Sequence, residues 1–190
     1  MFNLFIENIL SDSECNILIE RGLQTDLQIM YSSKVVNGKV IAQDILKLDD
    51  NKRKGSYYFE DEMQEPIFTS LTHTLVSIIN STKIFNGIEY IGIPKYTFNQ
   101  YEAGDFLNWH RDSHEIINGA TATIIIQLND NYEGGEVMYR LDSKDYTVPK
   151  KAGSIFIFDS NIEHSVNMVE SGIRYSMNAW PSSKIKKGLL

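Results

Sequence analysis

Cysteine is almost missing from this chain. Cys15 is the only one among 190 residues, so no intrachain disulfide can form and a reducing compartment is the simple expectation. No apolar run approaches the roughly 18 residues that a membrane-spanning helix requires. The opening Met1-Phe-Asn-Leu-Phe-Ile-Glu7 lacks the basic start and cleavage site of a signal peptide, so the cytoplasm is expected and a membrane partner is not. Positive charge is not in excess. A net charge of −7 disfavours a broad nucleic-acid-binding face, which is usually basic. Repeats and low-complexity tracts are also absent, as is any convincing Ser-His-Asp or Cys-His set for nucleophilic catalysis.

What remains is an ordinary globular composition, 42% apolar and 23% charged with the signs mixed, in a length suited to one domain over 1–190. Ser11-Asp-Ser-Glu14 reads as a capping box that opens a helix through about Arg21, with Gly22 as its stop. Cys15, Leu18 and Ile19 recur at helical spacing, which makes Cys15 a buried small hydrophobe. Val35-Val-Asn-Gly-Lys-Val-Ile41 sets Asn-Gly between two β-branched runs, a hairpin signal. From about Glu62 to Asn80, Ile67, Leu71, Leu75 and Ile78 form one helical stripe.

From Ile91 onward the texture changes to short runs rich in Ile, Val, Tyr and Phe, separated by Gly, Asn and Asp. Strands are expected near 93–101, 105–112, 120–128, 135–140, 145–148, 154–158, 163–168 and 172–180. The fold class is therefore mainly β with N-terminal helices (α+β). A helical and hairpin prelude over about 1–90 precedes a double-sheet jelly roll, a cupin-like double-stranded β-helix, over about 91–182. The helices should back one sheet.

The chemistry concentrates in His110-Arg-Asp112 and the distant His164. Two residues apart on a strand, His110 and Asp112 project to the same side. With a second His they form a 2-His-1-carboxylate set, which grips one face of a ferrous ion and leaves three positions open. The lack of thiolate ligands argues against a structural zinc site. The bland alternative for a lone His in a strand is a hydrogen-bonded structural or surface residue. His114 is a rival third ligand, since on an extended strand it would share the face of His110 and Asp112. His110-Arg-Asp112 also echoes the kinase catalytic loop, but the accompanying Asp-Phe-Gly, Gly-rich loop and Lys strand are missing.

The order of motifs from about Tyr96 to Trp180 carries a specific resemblance. It runs Tyr101-Glu-Ala-Gly104, His110-Arg-Asp112, Gly134-Gly-Glu-Val-Met-Tyr139, Gly153-Ser-Ile-Phe-Ile-Phe158, His164, then Gly172-Ile-Arg174-Tyr-Ser176 through Trp180. This stretch resembles the prolyl 4-hydroxylase-like branch of the 2-oxoglutarate/Fe(II)-dependent dioxygenases. The first ninety residues resemble nothing nameable.

The resemblance implies roles position by position. His110, Asp112 and His164 are similar to the iron ligands, and Arg174 to the Arg that pairs with the far carboxylate of 2-oxoglutarate. A guanidinium fork suits a carboxylate better than a Lys does. Ser176 shares the face of Arg174 and can donate to that carboxylate, and Tyr101 matches a Tyr that often bonds the cosubstrate. Some relatives carry another cosubstrate Tyr on the strand entering Leu-Asn. Here Thr123-Ile-Ile-Ile126-Gln-Leu128 offers only Ile126, so an apolar pocket wall is expected. Asn178 and Trp180, on the face of Arg174, are expected to border the site, with Trp180 as plain core the alternative. Trp109 and Arg140 are expected as substrate neighbours.

The implied cofactors are Fe(II), 2-oxoglutarate as cosubstrate and O₂, with ascorbate as reductant. The implied reaction converts 2-oxoglutarate to succinate and CO₂ while hydroxylating a C–H bond, in this branch most often in a prolyl residue of a peptide or protein. A free amino acid or other small molecule is the alternative substrate. The segment Tyr31 to Tyr58 is a candidate lid, or else an exposed polar hairpin. A non-catalytic cupin-like metal-binding protein is the reading from another class, against which Arg174 counts.

Overall fold

The structure, a computed structural model, describes residues 2–29, 33–36, 39–42, 51–59, 64–82, 88–112 and 122–185. The first helix is Asp12–Leu23, opened by the expected box: Ser11 Oγ accepts from the Glu14 N–H at 3.3 Å, and the Ser11 N–H donates back to the Glu14 carboxylate at 2.8 Å. Gly22 does not stop it. The helix runs one residue further and is capped at Gln24, while Gly22 lies buried with the Phe98 ring where a side chain would be. The second helix, Pro66–Thr82, begins on a proline, the residue best tolerated at the first helical position. It buries Phe68, Leu71, Leu75 and Ile79, with Ile67 and Ile78 at the margin. No helix among the described residues is long and apolar enough to cross a membrane.

Two antiparallel sheets make the jelly roll. The larger has the order Asn3–Ile6, Ile155–Asp159, Ala122–Gln127, Arg174–Ala179, Lys95–Tyr101, Lys54–Phe59 and Gln28–Ile29. The smaller runs Lys144–Thr147, Val137–Leu141, Glu163–Val166, Phe106–His110 and Asn51–Lys52. The expected run 163–168 breaks in two, because Val169–Ser171 leaves to pair with Glu133–Gly134. The first ninety residues thus supply strands to both sheets as well as the helices. Ser33–Val36 pairs with Lys39–Ala42 as expected of the hairpin, whose Asn-Gly link lies outside the described residues.

Alternation along the larger sheet sorts two cores. Tyr96, Phe98, Ala122, Ile124, Ile126, Ile155, Ile157, Met177 and Ala179 pack under the helices with Leu18, Phe68, Leu71 and Leu75. Tyr101, Ile125, Phe156 and Phe158 face the other way and meet Leu107, Val137 and Val166 of the smaller sheet. The expected backing of one sheet by helices is what the structure shows. The space between the sheets holds this second apolar cluster, with polar side chains beside it.

Candidate metal centre and cosubstrate pocket

Residues outside the even pairing bring the site together. His164 pairs with His110, yet Val166 pairs with Leu107, so one strand advances two residues while the other advances three. The additional residue is a β-bulge. It lets Leu107 and His110 both face the interior, although simple alternation would set them on opposite faces. The imidazoles of His110 and His164 then lie 4.1 Å apart between ring centres. Asp112 is not on that strand, as the sequence suggested; the strand ends at His110, and Asp112 reaches the rings from the segment beyond.

Asp112 Oδ1 lies 3.7 Å from His110 Nε2, and its Oδ2 lies 3.7 Å from His164 Nε2. The candidate ligand atoms of all three residues fall within 4.8 Å of one another. His110 Nδ1 sits 2.8 Å from the Asn108 carbonyl and His164 Nδ1 sits 3.1 Å from the Ile162 carbonyl. A carbonyl only accepts, so Nδ1 carries the proton in each ring and Nε2 presents a lone pair. That orientation of the outer nitrogen is typical of metal-ligating histidine. Burial, reinforced by His164, pushes the His110 imidazole down to about 4, which keeps it neutral and able to ligate. Burial alone would raise the Asp112 carboxyl. His164 and His110, with hydrogen bonds from Thr123 and Trp180, outweigh it and hold the carboxyl below its ordinary range. Two imidazoles and one carboxylate fit a ferrous ion.

Arg174 is only 1% exposed, and no carboxylate pairs with it among the described residues. Its Nη1 donates to Ser176 Oγ at 2.7 Å and its Nη2 to Gln127 Oε1 at 3.0 Å, while Nε has no partner. The Tyr101 ring lies under the guanidinium, 5.1 Å from ring centre to Cζ. A buried guanidinium without an anion is costly. Arg174 thus offers a charge and a spare donor suited to a carboxylate.

Gln127 was missed by the sequence reading, and it corrects the expected apolar wall. Ile126 points to the helices, and the residues that face the site from this strand are Thr123, Ile125 and Gln127. Gln127 Nε2 donates in turn to the Tyr132 hydroxyl at 2.6 Å and to the Asn129 carbonyl at 2.7 Å. A small pocket lined by Gln127, Tyr132, Ile125 and Phe156 lies beside the Gln127 that Arg174 bonds, away from the three ligand candidates.

The remaining expected residues divide. Trp180 borders the site and donates from Nε1 to Asp112 Oδ2 at 3.1 Å. Asn178, partly buried, pairs with Ile125 and Thr97. Trp109 and Arg140 lie on the solvent side of the smaller sheet, with the guanidinium 4.3 Å from the indole centre. Arg140 is already forked onto Asp145 at 2.7 and 3.1 Å and bonded to Glu163 at 3.3 Å. His114 lies outside the described residues. Arg53 was not anticipated: its Nε donates to Asn99 Oδ1 at 3.1 Å, and its charge is close enough to oppose protonation of His110.

Comparison with known proteins agrees with this geometry. Residues 96–182 match the family model of the 2OG-Fe(II) oxygenase superfamily. A PKHD-type hydroxylase of Idiomarina loihiensis is 28% identical over 99 residues, a match covering 50% of this chain and 45% of that protein. The chain spans less than half the length of the first curated relatives it matches. A prolyl-4-hydroxylase of Pseudomonas putida superposes with a TM-score of 0.70 at 16% identity, covering 98% of this chain and 93% of that one. A prolyl hydroxylase of Trichoplax adhaerens, solved with a peptide fragment of the hypoxia inducible factor oxygen degradation domain, superposes at 0.65 and 17% identity, covering 94% and 82%. Residues 96–182 are thus similar to the 2OG-Fe(II) oxygenase superfamily, and the chain shares the double-stranded β-helix fold of the solved prolyl 4-hydroxylases.

Proposed function

We propose that the protein is a 2-oxoglutarate-dependent dioxygenase that hydroxylates a prolyl residue in a peptide or protein, with His110, Asp112 and His164 as ligands of Fe(II). The observation that carries this reading is Arg174, a buried cation with an unpartnered Nε and no carboxylate among the described residues. A purely structural metal site has no need of such a group. When bound, Fe(II) supplies the activation of O₂ and the oxidative decarboxylation of 2-oxoglutarate to succinate and CO₂.

The chain's own residues bind, orient and exclude water. Arg174 and Ser176 hold the far carboxylate of 2-oxoglutarate, and Tyr101 forms the floor beneath that guanidinium. The Nδ1–H bonds to backbone carbonyls keep both Nε2 atoms aimed at the ion. Ile125, Phe156 and Phe158 keep the inter-sheet space dry. The choice of a peptidyl proline rests on the named hydroxylases among the relatives and on the peptide held by one structural neighbour. Of the lid expected over 31–58, the part from Asn51 onward is built into the two sheets, which leaves the pair Ser33–Val36 and Lys39–Ala42 as the candidate lid, and ascorbate is the candidate reductant.

The test incubates the protein with Fe(II), 2-oxoglutarate and a library of proline-containing peptides under air. The expected result is succinate release stimulated by a subset of peptides, each gaining the mass of one oxygen atom. Stimulation by free metabolites alone would remove the prolyl assignment. Absence of both succinate and anaerobic 2-oxoglutarate binding would leave a cupin-like binding protein.

A further inference from the structure

The Asp112 carboxylate is held by two side chains that the ligand set does not include, and a third braces one of them. Thr123 Oγ1 donates to Asp112 Oδ2 at 2.7 Å, and Trp180 Nε1 donates to the same oxygen at 3.1 Å. Ser160 Oγ lies 3.1 Å from Thr123 Oγ1. The direction of that contact follows from counting protons. A carboxylate can only accept, so the single hydroxyl proton of Thr123 is committed to Asp112, and Ser160 must be the donor to Thr123. The result is one polarised chain from Ser160 through Thr123 to Asp112, met from the other side by the Trp180 indole. Thr123 and Ser160 are both fully buried, so water does not compete for these hydrogen bonds.

Both donors fall on Oδ2, and among the described residues no side chain donates a hydrogen bond to Oδ1. We propose that Ser160, Thr123 and Trp180 are positioning residues that hold the Asp112 carboxylate at the angle it presents to His110 and His164. The three residues come from three different places in the fold. Thr123 lies near the start of Ala122–Gln127, Ser160 lies just past Ile155–Asp159, and Trp180 follows Arg174–Ala179. These strands are neighbours in the larger sheet, so the sheet itself sets the carboxylate's angle.

This inference rests on the metal reading above, and the experiment separates the two. Co(II) alone, with no 2-oxoglutarate, is titrated into the full chain and followed by its visible absorption, which reports both affinity and coordination. The wild type is compared with Thr123→Val, Thr123→Ser, Ser160→Ala and Trp180→Phe, each checked for folding by circular dichroism. Removing a group that orients a ligand typically costs 10–100-fold in metal affinity. Thr123→Val and Trp180→Phe are expected to weaken Co(II) at least tenfold and to alter its spectrum. Thr123→Ser, which keeps the hydroxyl, should bind like wild type, and Ser160→Ala should fall between. Wild-type affinity and spectrum in both Thr123→Val and Trp180→Phe would overturn the positioning role while leaving the metal site intact. Should Thr123→Val not fold, unchanged binding in Ser160→Ala and Trp180→Phe overturns it equally. A wild-type protein that takes up no Co(II) would remove the metal centre itself.

Discussion

His110 and His164 are register partners on neighbouring strands of the smaller sheet, and they face each other only because one additional residue bulges the strand between Leu107 and His110. The pairing makes the geometry of the centre a property of backbone hydrogen bonding.

His110→Ala and Asp112→Ala are expected to abolish turnover and high-affinity metal uptake, since each removes one ligand of a three-ligand grip. Neither side chain belongs to the apolar clusters, so both variants should fold. Metal titration with circular dichroism checks this, and full activity in either variant contradicts the assignment.

Arg174→Ala should raise the 2-oxoglutarate requirement far more than Ser176→Ala. A charge-assisted pair is worth roughly 1.5–3 kcal/mol, about a tenfold to hundredfold change, against about 1 kcal/mol for a neutral hydroxyl bond. Steady-state titration of 2-oxoglutarate reads the difference, and equal effects would argue against a carboxylate clamp.

Gln127→Leu should also raise that requirement, by an intermediate amount. It strips Arg174 Nη2 of its acceptor and breaks the link to Tyr132. The protein should still take up metal normally, because Gln127 does not touch Asp112 or either histidine. A variant that loses metal instead would show the two halves of the site to be coupled.

Gly22→Ala should destabilise the protein, although the same change in an exposed helix adds about 1 kcal/mol of helix propensity. A methyl group at this position runs into the Phe98 ring. Overpacking of this kind costs about 1–3 kcal/mol, so the clash wins. A lower midpoint in urea denaturation is the expected reading. The same layer buries Cys15, whose thiol burial pushes up to about 11, and alkylation at neutral pH should accordingly be slow in the folded state.

Much of this was legible in the chain. The capping box at Ser11 and Glu14, the Leu71–Leu75 stripe and the strand pattern from Ile91 rest on local periodicity, and local periodicity survives folding. Arg174 and Ser176 could be paired on one face because their strand is regular. Other features depend on partners that no local pattern encodes. Ala122–Gln127 is buried on both faces and its central residues are all isoleucine, so nothing in it marks which parity faces the site, and Gln127 was passed over for Ile126. The bulge before His110 carries no glycine or proline to announce it. Gly22 has the look of a stop signal, and only the approach of Phe98 explains it. Asn3–Ile6 is too short to show a period, and it becomes a strand because Ile155–Asp159 offers it a partner.

That last pairing bears on handling. Asn3–Ile6 lies along the outer margin of Ile155–Asp159, whose Ile-Phe-Ile-Phe backbone would otherwise be presented for docking to a second molecule. Removing Phe2–Ile6 is therefore expected to bare that edge and make the protein more prone to stick to itself.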